Sequence, residues 1–198
     1  MALLVIGLIL FLGVHSVRIF ADPWRSTVIE KRGEGCWKGL YSLISLLGLG
    51  LIIWGYGEAQ SEGLMVWTPP LWTWHITIAL MLVAFVFLTA AYVPRNGIKA
   101  KLKDPMILGV KTWALAHLFS NGSLAGLVLF GSFLIWAVLD FKSARERRPA
   151  VEVQSPKASG LMTAVTLVVA VMAWALMAVY GHALLIGVDP IGWMKAPL

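Results

Sequence analysis

The chain reads as an all-α membrane protein, a polytopic helical bundle of about six transmembrane helices, and three observations carry that reading. Of its 198 residues 59% are hydrophobic and only 13% charged, and the mean hydropathy is +0.81. Soluble domains carry about 25% charged residues. The apolar residues fall into long runs separated by short polar stretches, most of them close to the roughly 20 residues that a helix needs to cross a bilayer. Of its ten Trp residues, Trp24, Trp37, Trp54, Trp67, Trp72 and Trp193 fall, with Tyr56 and Tyr92, near the ends of those runs, as an aromatic belt at the two membrane surfaces requires. One integral membrane domain covering 1–198 suits the length.

Taken in order, span one covers about Ala2 to Phe20. It lacks the basic start and small-residue cleavage site of a signal peptide and reads as a retained span. A polar, basic loop with Arg18, Arg25, Lys31, Arg32 and Lys38 at or beside it follows. Span two is about Trp37 to Tyr56. The next loop holds Glu58 and Glu62 and ends at Trp67-Thr68-Pro69-Pro70, where the prolines start span three, Leu71 to Val93. Pro is well tolerated there because the first helical N–H groups have no partner to lose.

After Arg95, Lys99, Lys101 and Lys103, Pro105 opens span four, Met106 to Ser120. Asn121-Gly122 is a turn dipeptide. It leads at once into span five, Ser123 to Leu139, so spans four and five form a tight helical hairpin. The stretch Ala144 to Ser159 is rich in charge and Pro and reads as a mobile loop. Span six is Leu161 to Ile186. The tail, Gly187 to Leu198, is interfacial.

Charge sets the expected orientation. Fifteen of the 16 basic residues fall in or beside the first, third and fifth loops, and only Lys195 lies elsewhere. With six spans those loops share one face, and the positive-inside rule makes that face cytoplasmic. Both termini are then periplasmic. In this setting the net charge of +6 describes topology and does not indicate a nucleic-acid partner. The lipid bilayer is the expected partner. A single cysteine, Cys36, rules out a disulfide within the chain.

No Asp or Glu lies within any span, and Asp140 falls just past the end of span five. That argues against a proton-coupled transporter, which needs a buried carboxylate. It also removes carboxylate-bridged metal sites. What remains is histidine. His15, His75, His117 and His182 each lie in a different span. A neutral imidazole in an apolar setting is a good ligand for haem iron or a transition metal. His182, near the end of span six, reads as an interfacial residue, and His75 is open between belt residue and site residue. His15 and His117 are deeper and read as site residues. By depth along the spans His15 and His117 are offset by ~12 Å at 1.5 Å per residue, so depth alone pairs His117 with His75. The aromatic residues Trp113, Phe119, Phe130 and Phe133 are candidate walls for a porphyrin, and Ser16 is a candidate hydrogen-bond partner for His15.

The segments G-V-H-S-V-R (Gly13 to Arg18), G-L-Y-S-L-I-S (Gly39 to Ser45), D-P-M-I-L-G-V-K-T-W-A-L-A-H-L-F-S-N-G (Asp104 to Gly122) and L-V-L-F-G-S-F-L-I-W-A (Leu127 to Ala137) resemble the NnrU-like membrane proteins. The resemblance implies an inner-membrane protein associated with nitrite and nitric oxide reduction. It also implies kinship with zeta-carotene isomerase, a haem b enzyme with histidine axial ligands. Carried over by position, those ligands fall on His15 and His117, with His75 kept as the alternate. Many relatives have His before the Pro where this chain has Lys103-Asp104-Pro105, and a carboxylate does not replace imidazole as a softer ligand.

Two functions are then in view. One is a membrane factor, binding haem b, that supports denitrification. The other is a haem-dependent isomerase or redox enzyme acting on a lipid-soluble polyene such as zeta-carotene, a hydrophobic small molecule.

Overall fold

The computed structural model describes residues 1–147 and 157–192. Arg148, Trp193, Lys195 and part of the expected mobile loop lie outside these. The described residues are helical, with a lone antiparallel bridge pair between Met65 and Ser123. In order they form α1 (Ala2–Phe20), α2 (Asp22–Arg32), α3 (Glu34–Ser61), α4 (Leu71–Tyr92), α5 (Gly97–Leu102), α6 (Pro105–Ser120), α7 (Leu124–Glu146), α8 (Gly160–Leu176), a π-helical turn (Met177–Gly181) and α9 (His182–Ile186).

Five segments are long and apolar enough to cross a membrane: α1, α3, α4, α7 and the stretch Gly160–Ile186. The sixth apolar helix, α6, has 16 residues, a rise of ~24 Å. Large apolar side chains such as Ile9, Leu46, Ile53, Val168 and Leu184 point outward, where only lipid suits them. The protein is a membrane-embedded bundle of α-helices.

The helices group into two compact units, Met1–Pro69 with Asn121–Arg148 and Pro70–Ser120 with Pro149–Leu198. In the first, α1 lies along α3 and both pack on α7. Glycine makes the α1–α3 contact possible. A Cβ on Gly7 would stand 2.6 Å from Ile52 N, one on Gly48 2.7 Å from Phe11 N, and one on Gly55 would fall on the backbone of Leu4. Lipid tails are as apolar as leucine, so membrane helices associate through such close backbone approach rather than through a hydrophobic force. Among the glycines within the apolar runs, Gly48 packs this way and Gly126 meets Asn121. Gly50 and Gly131 have nothing within 4 Å of the position a Cβ would take.

The first basic loop differs from expectation. Its residues fold into α2, which has no buried residue and hence no apolar periodicity to betray it. Its helical signals are local: Pro in the first turn, Asp22 at the start, and Lys31 and Arg32 at the end, all favourable to the helix dipole. Gly33, at φ +84° and ψ 154°, then turns the chain into α3 in a conformation that is essentially glycine's alone. Trp37, expected in the aromatic belt, is buried and meets Trp24 edge-on at 5.9 Å. At this end Arg147 donates to the carbonyl of Arg18 (3.0 Å) and lies 3.8 Å from Asp140. Basic residues of the first and fifth loops therefore share one end of this unit.

In the second unit α6 and α8 both pack on α4. Ala84, Ala90, Ala114, Ala116 and Ala170 are fully buried, and a Cβ on Gly109 would stand 2.8 Å from the Leu88 side chain. Asn96, 1% exposed, caps α5 by accepting from Lys99 N (2.7 Å), while its amide donates to the carbonyls of Ala90 and Val93. Ser159 N donates to Arg95 O and Gly97 N to Thr163 Oγ1, both at 2.8 Å. The start of α8 thus sits beside the Arg95–Lys103 loop.

The glycine contacts give a direct test. Gly55→Val forces backbone against backbone and should destabilise the purified protein by at least the ~1–3 kcal/mol typical of overpacking. Gly50→Val, into open space, should leave the melting temperature nearly unchanged. Equal effects from the two would refute the packing described.

Candidate functional site

Three of the four histidines are held in the same way. His15 Nδ1 lies 2.7 Å from the carbonyl of Phe11, His117 Nδ1 2.9 Å from that of Trp113, and His182 Nδ1 2.8 Å from that of Val188. A carbonyl only accepts, so Nδ1 carries the proton in each case, and in the neutral ring Nε2 bears the lone pair. For His15 and His117 the acceptor is one helical turn back. A backbone or hydroxyl acceptor such as Ser16 was expected to hold one ring nitrogen of His15, and the backbone carbonyl of Phe11 does so. For His182 the acceptor lies ahead. Gly187 closes α9 in the left-handed region at φ +76°, and this returns the Val188 carbonyl to the imidazole. An N–H tied to a carbonyl is the usual arrangement behind a metal-ligating histidine.

His15 lies in the first unit, enclosed by aromatic rings. Phe11 stacks on it at 4.2 Å, Tyr41 is 5.0 Å away, and Trp136 meets it edge-on at 6.0 Å. Phe133 stands 5.8 Å from Phe11. The Trp136 indole N–H is buried and has no hydrogen-bond partner among the described residues.

His117 lies in the second unit. Ala116, just before it in the A-L-A-H segment, is fully buried and offers its carbonyl to Thr77 Oγ1 of α4 at 2.8 Å, which pins this turn of α6 to its neighbour. Trp113 is 5.4 Å from the imidazole. On the other side is His182, with ring centroids 6.4 Å apart and planes 16° from parallel. His182 reads from the sequence as an interfacial residue, and the structure places it beside His117. His75 is exposed on α4. Of the expected porphyrin walls, Trp113 is beside His117, Phe119 is 37% exposed, and Phe130 and Phe133 belong to the first unit, Phe130 lying 6.4 Å from Tyr56.

The two ends of the segment W-A-L-A-H-L-F-S-N-G have separate jobs. Trp113 to Ser120 belong to α6, while Asn121 and Gly122 belong to the first unit. Asn121 Nδ2 donates to the Tyr56 hydroxyl (2.9 Å), and its Oδ1 accepts from Ser123 N and Oγ. Ser123 caps α7 by accepting from Gly126 N at 3.0 Å. The Gly122 carbonyl accepts from Val66 N (2.8 Å), and Leu124 N donates to Leu64 O (2.8 Å). A Cβ on Gly122 would fall on the Trp67 carbonyl. Glycine is needed here for space and not for a positive φ, which Gly122 does not adopt. The turn dipeptide thus closes a clasp onto residues 64–67. Tyr56, expected in the aromatic belt, is part of that clasp.

Among the described residues no group of three or more His, Cys, Asp or Glu could hold a metal ion. The donor set on offer is imidazole nitrogen, singly or in a pair. The helices and the tethered histidines define a polytopic α-helical membrane protein with imidazoles held in an apolar setting. The family described as NnrU protein matches residues 3–190, nearly the whole chain. The protein belongs to the NnrU family. No curated protein and no solved structure matches it.

A double-mutant cycle tests the clasp. Asn121→Ala removes the acceptor of Ser123 N–H and Oγ–H and a donor to the Tyr56 hydroxyl and should cost about 1–3 kcal/mol, as for other buried groups left unpaired. Tyr56→Phe should cost less. Their coupling should be at least ~0.5 kcal/mol, since neighbours in one network are not additive. Strict additivity would show that the bond between them contributes nothing.

Proposed function

We propose that this NnrU family protein binds haem b in the bacterial inner membrane, with His117 as an axial ligand, and serves nitrite and nitric oxide reduction. One observation supports the cofactor more than any other: the His117 imidazole is tied by Nδ1–H to the Trp113 carbonyl, which makes Nε2 the nitrogen that carries the ring's lone pair. Haem suits such a donor set because the porphyrin supplies four of the six iron ligands and the protein need supply only one or two. A bare zinc site needs three or four protein ligands, and no such group occurs among the described residues. The carriers of the NnrU-like resemblance, and the family match that includes them, support the denitrification role. Bound haem would supply electron transfer or ligand binding at iron, and the residues around His117 orient the ring and keep water away.

The orientation proposed is cytoplasmic for the basic loops at Arg25–Lys38, Arg95–Lys103 and Lys142–Arg148, with both termini periplasmic. The support is charge asymmetry.

Purified wild-type protein should show a Soret band, and His117→Ala should lose most of it. His15→Ala and His75→Ala run beside it to test the ligands drawn from the resemblance and from depth. A colourless wild type after expression with haem supply, or a spectrum that survives all three changes, would defeat the reading. In a strain lacking the protein, nitrite-dependent growth should fall and be restored by wild type but not by His117→Ala. Reporter fusions after Arg148 should behave as cytoplasmic and those at the C-terminus as periplasmic, and the opposite pattern would invert the topology.

A further inference from the structure

We infer that the Arg95–Lys103 segment of the second unit is a docking platform for anionic phospholipid headgroups, with Arg95, Lys99 and Lys101 as its phosphate contacts. The inference is independent of the haem reading. It also goes beyond the charge asymmetry that sets orientation, which depends only on how many basic residues a loop carries.

Charge comes first. Residues 95–103 hold Arg95, Lys99, Lys101 and Lys103 and no acidic residue, and Asp104 follows them. Lys157 stands two residues before Ser159, whose N–H donates to the Arg95 carbonyl at 2.8 Å. All five basic residues are exposed. Among the described residues Arg95, Lys99, Lys101 and Lys157 form no ion pair. The first unit differs. There Arg25 pairs with Asp22, Lys38 with Glu34, Lys142 with Glu146 and Arg147 with Asp140. Acidic residues hardly weigh in the positive-inside rule, so a loop that only sets orientation works equally well with its charges paired. Charge left uncompensated on one face is what an anionic partner needs.

The backbone fixes where those charges stand. Helix α5 touches α4, α6 and α8, at the end of the unit where α4 finishes and the other two begin. Because α4 is long enough to cross the membrane, this end falls at headgroup depth. Tyr92, 77% exposed at the end of α4, is a residue type favoured there. Ile98 and Leu102, one turn apart, are half-buried, while the lysines beside them stay exposed. Asn96 ties the start of α5 to the carbonyls of Ala90 and Val93, and Gly97 N ties it to Thr163 of α8. Lys99 Nζ donates to the Ala91 carbonyl at 2.7 Å, and an ammonium has two further N–H groups to give. Arg95 and Lys103 hold φ at +54° and +68°, where glycine would sit without strain. Basic side chains are kept at both places instead, and strain of this kind gathers at ligand clamps. The planar fork of Arg95 suits two phosphate oxygens at once, and the ammonium groups add point charges. Position selects the occupant: headgroup phosphates lie at this depth, and basic sites at the ends of membrane helices bind them.

The test uses the full chain in detergent, with lipid binding read by native mass spectrometry. The probes are a phosphatidylglycerol and a phosphatidylcholine with the same acyl chains. One basic side chain beside an anionic surface is worth about fivefold in affinity, so wild type should prefer the phosphatidylglycerol by at least about 25-fold. Arg95→Gln combined with Lys101→Gln should lose most of that preference. The charge-keeping pair Arg95→Lys and Lys101→Arg should stay within about threefold of wild type. Lys31→Gln with Arg32→Gln removes the same charge from exposed positions on α2 and should also stay within about threefold. The inference is overturned if wild type shows no preference, or if the Arg95 and Lys101 glutamine pair retains it. It is equally overturned if the α2 pair lowers the preference as much, because the charge then acts diffusely. Displacement of the phosphatidylglycerol by an equal concentration of inorganic phosphate would make the segment a site for free anions and overturn the lipid assignment.

Discussion

In hydrocarbon a leucine gains nothing by leaving lipid for another leucine, so the helices of this protein are held by how near their backbones can come. The contact of α1 with α3 shows the rule most plainly. Gly7, Gly48 and Gly55 leave no room for even a methyl group against the facing backbone. In the other unit alanines and Gly109 do the same for α4 and α6. Once backbones are this close, side chains are aimed with little slack. That precision lets an imidazole be placed against a chosen ring rather than somewhere in a greasy interior.

Polar groups follow from the same constraint. Without water, every N–H needs a partner inside the protein. His15, His117 and His182 meet that need by turning Nδ1 onto a backbone carbonyl. Trp136 is an exception, its N–H buried beside His15 without a partner among the described residues. The Asn121 clasp is the opposite case, with amide, hydroxyl and backbone groups satisfying one another at the end of a helix.

Hydrophobic runs made the long helices legible, because a bilayer demands them. Pro70, Pro105 and Asn121 marked boundaries that the structure keeps to within a few residues. Helix α2 was not legible: a polar surface helix has no apolar stripe, and only its end charges and Pro23 hint at it. His15 and His117 stood out as ionisable rings in apolar stretches. The neighbour of His117 did not, because the position of His182 depends on an irregular turn, and periodicity arguments assume regular helices. Gly187 was the available sign, a glycine just past a helix end where a left-handed residue is favoured. Gly122 stood out as half of a turn dipeptide, and what the turn needs from it is space beside Trp67.

The clasp between residues 64–67 and 122–124 also bears on the order of assembly. Chains emerge from the ribosome N-terminus first. Helices α1 and α3 can therefore find each other as soon as Ser61 is made. The strand-like segment after Gly63 must wait until α4, α5 and α6 have all been synthesised before Gly122 arrives to close it. Until then the Tyr56 hydroxyl and the amides of Val66 and Trp67 lack the partners they have in the finished protein. The nascent chain thus carries an open latch for the whole interval in which its middle third enters the membrane, and a lesion in that third would show itself as a latch that never shuts.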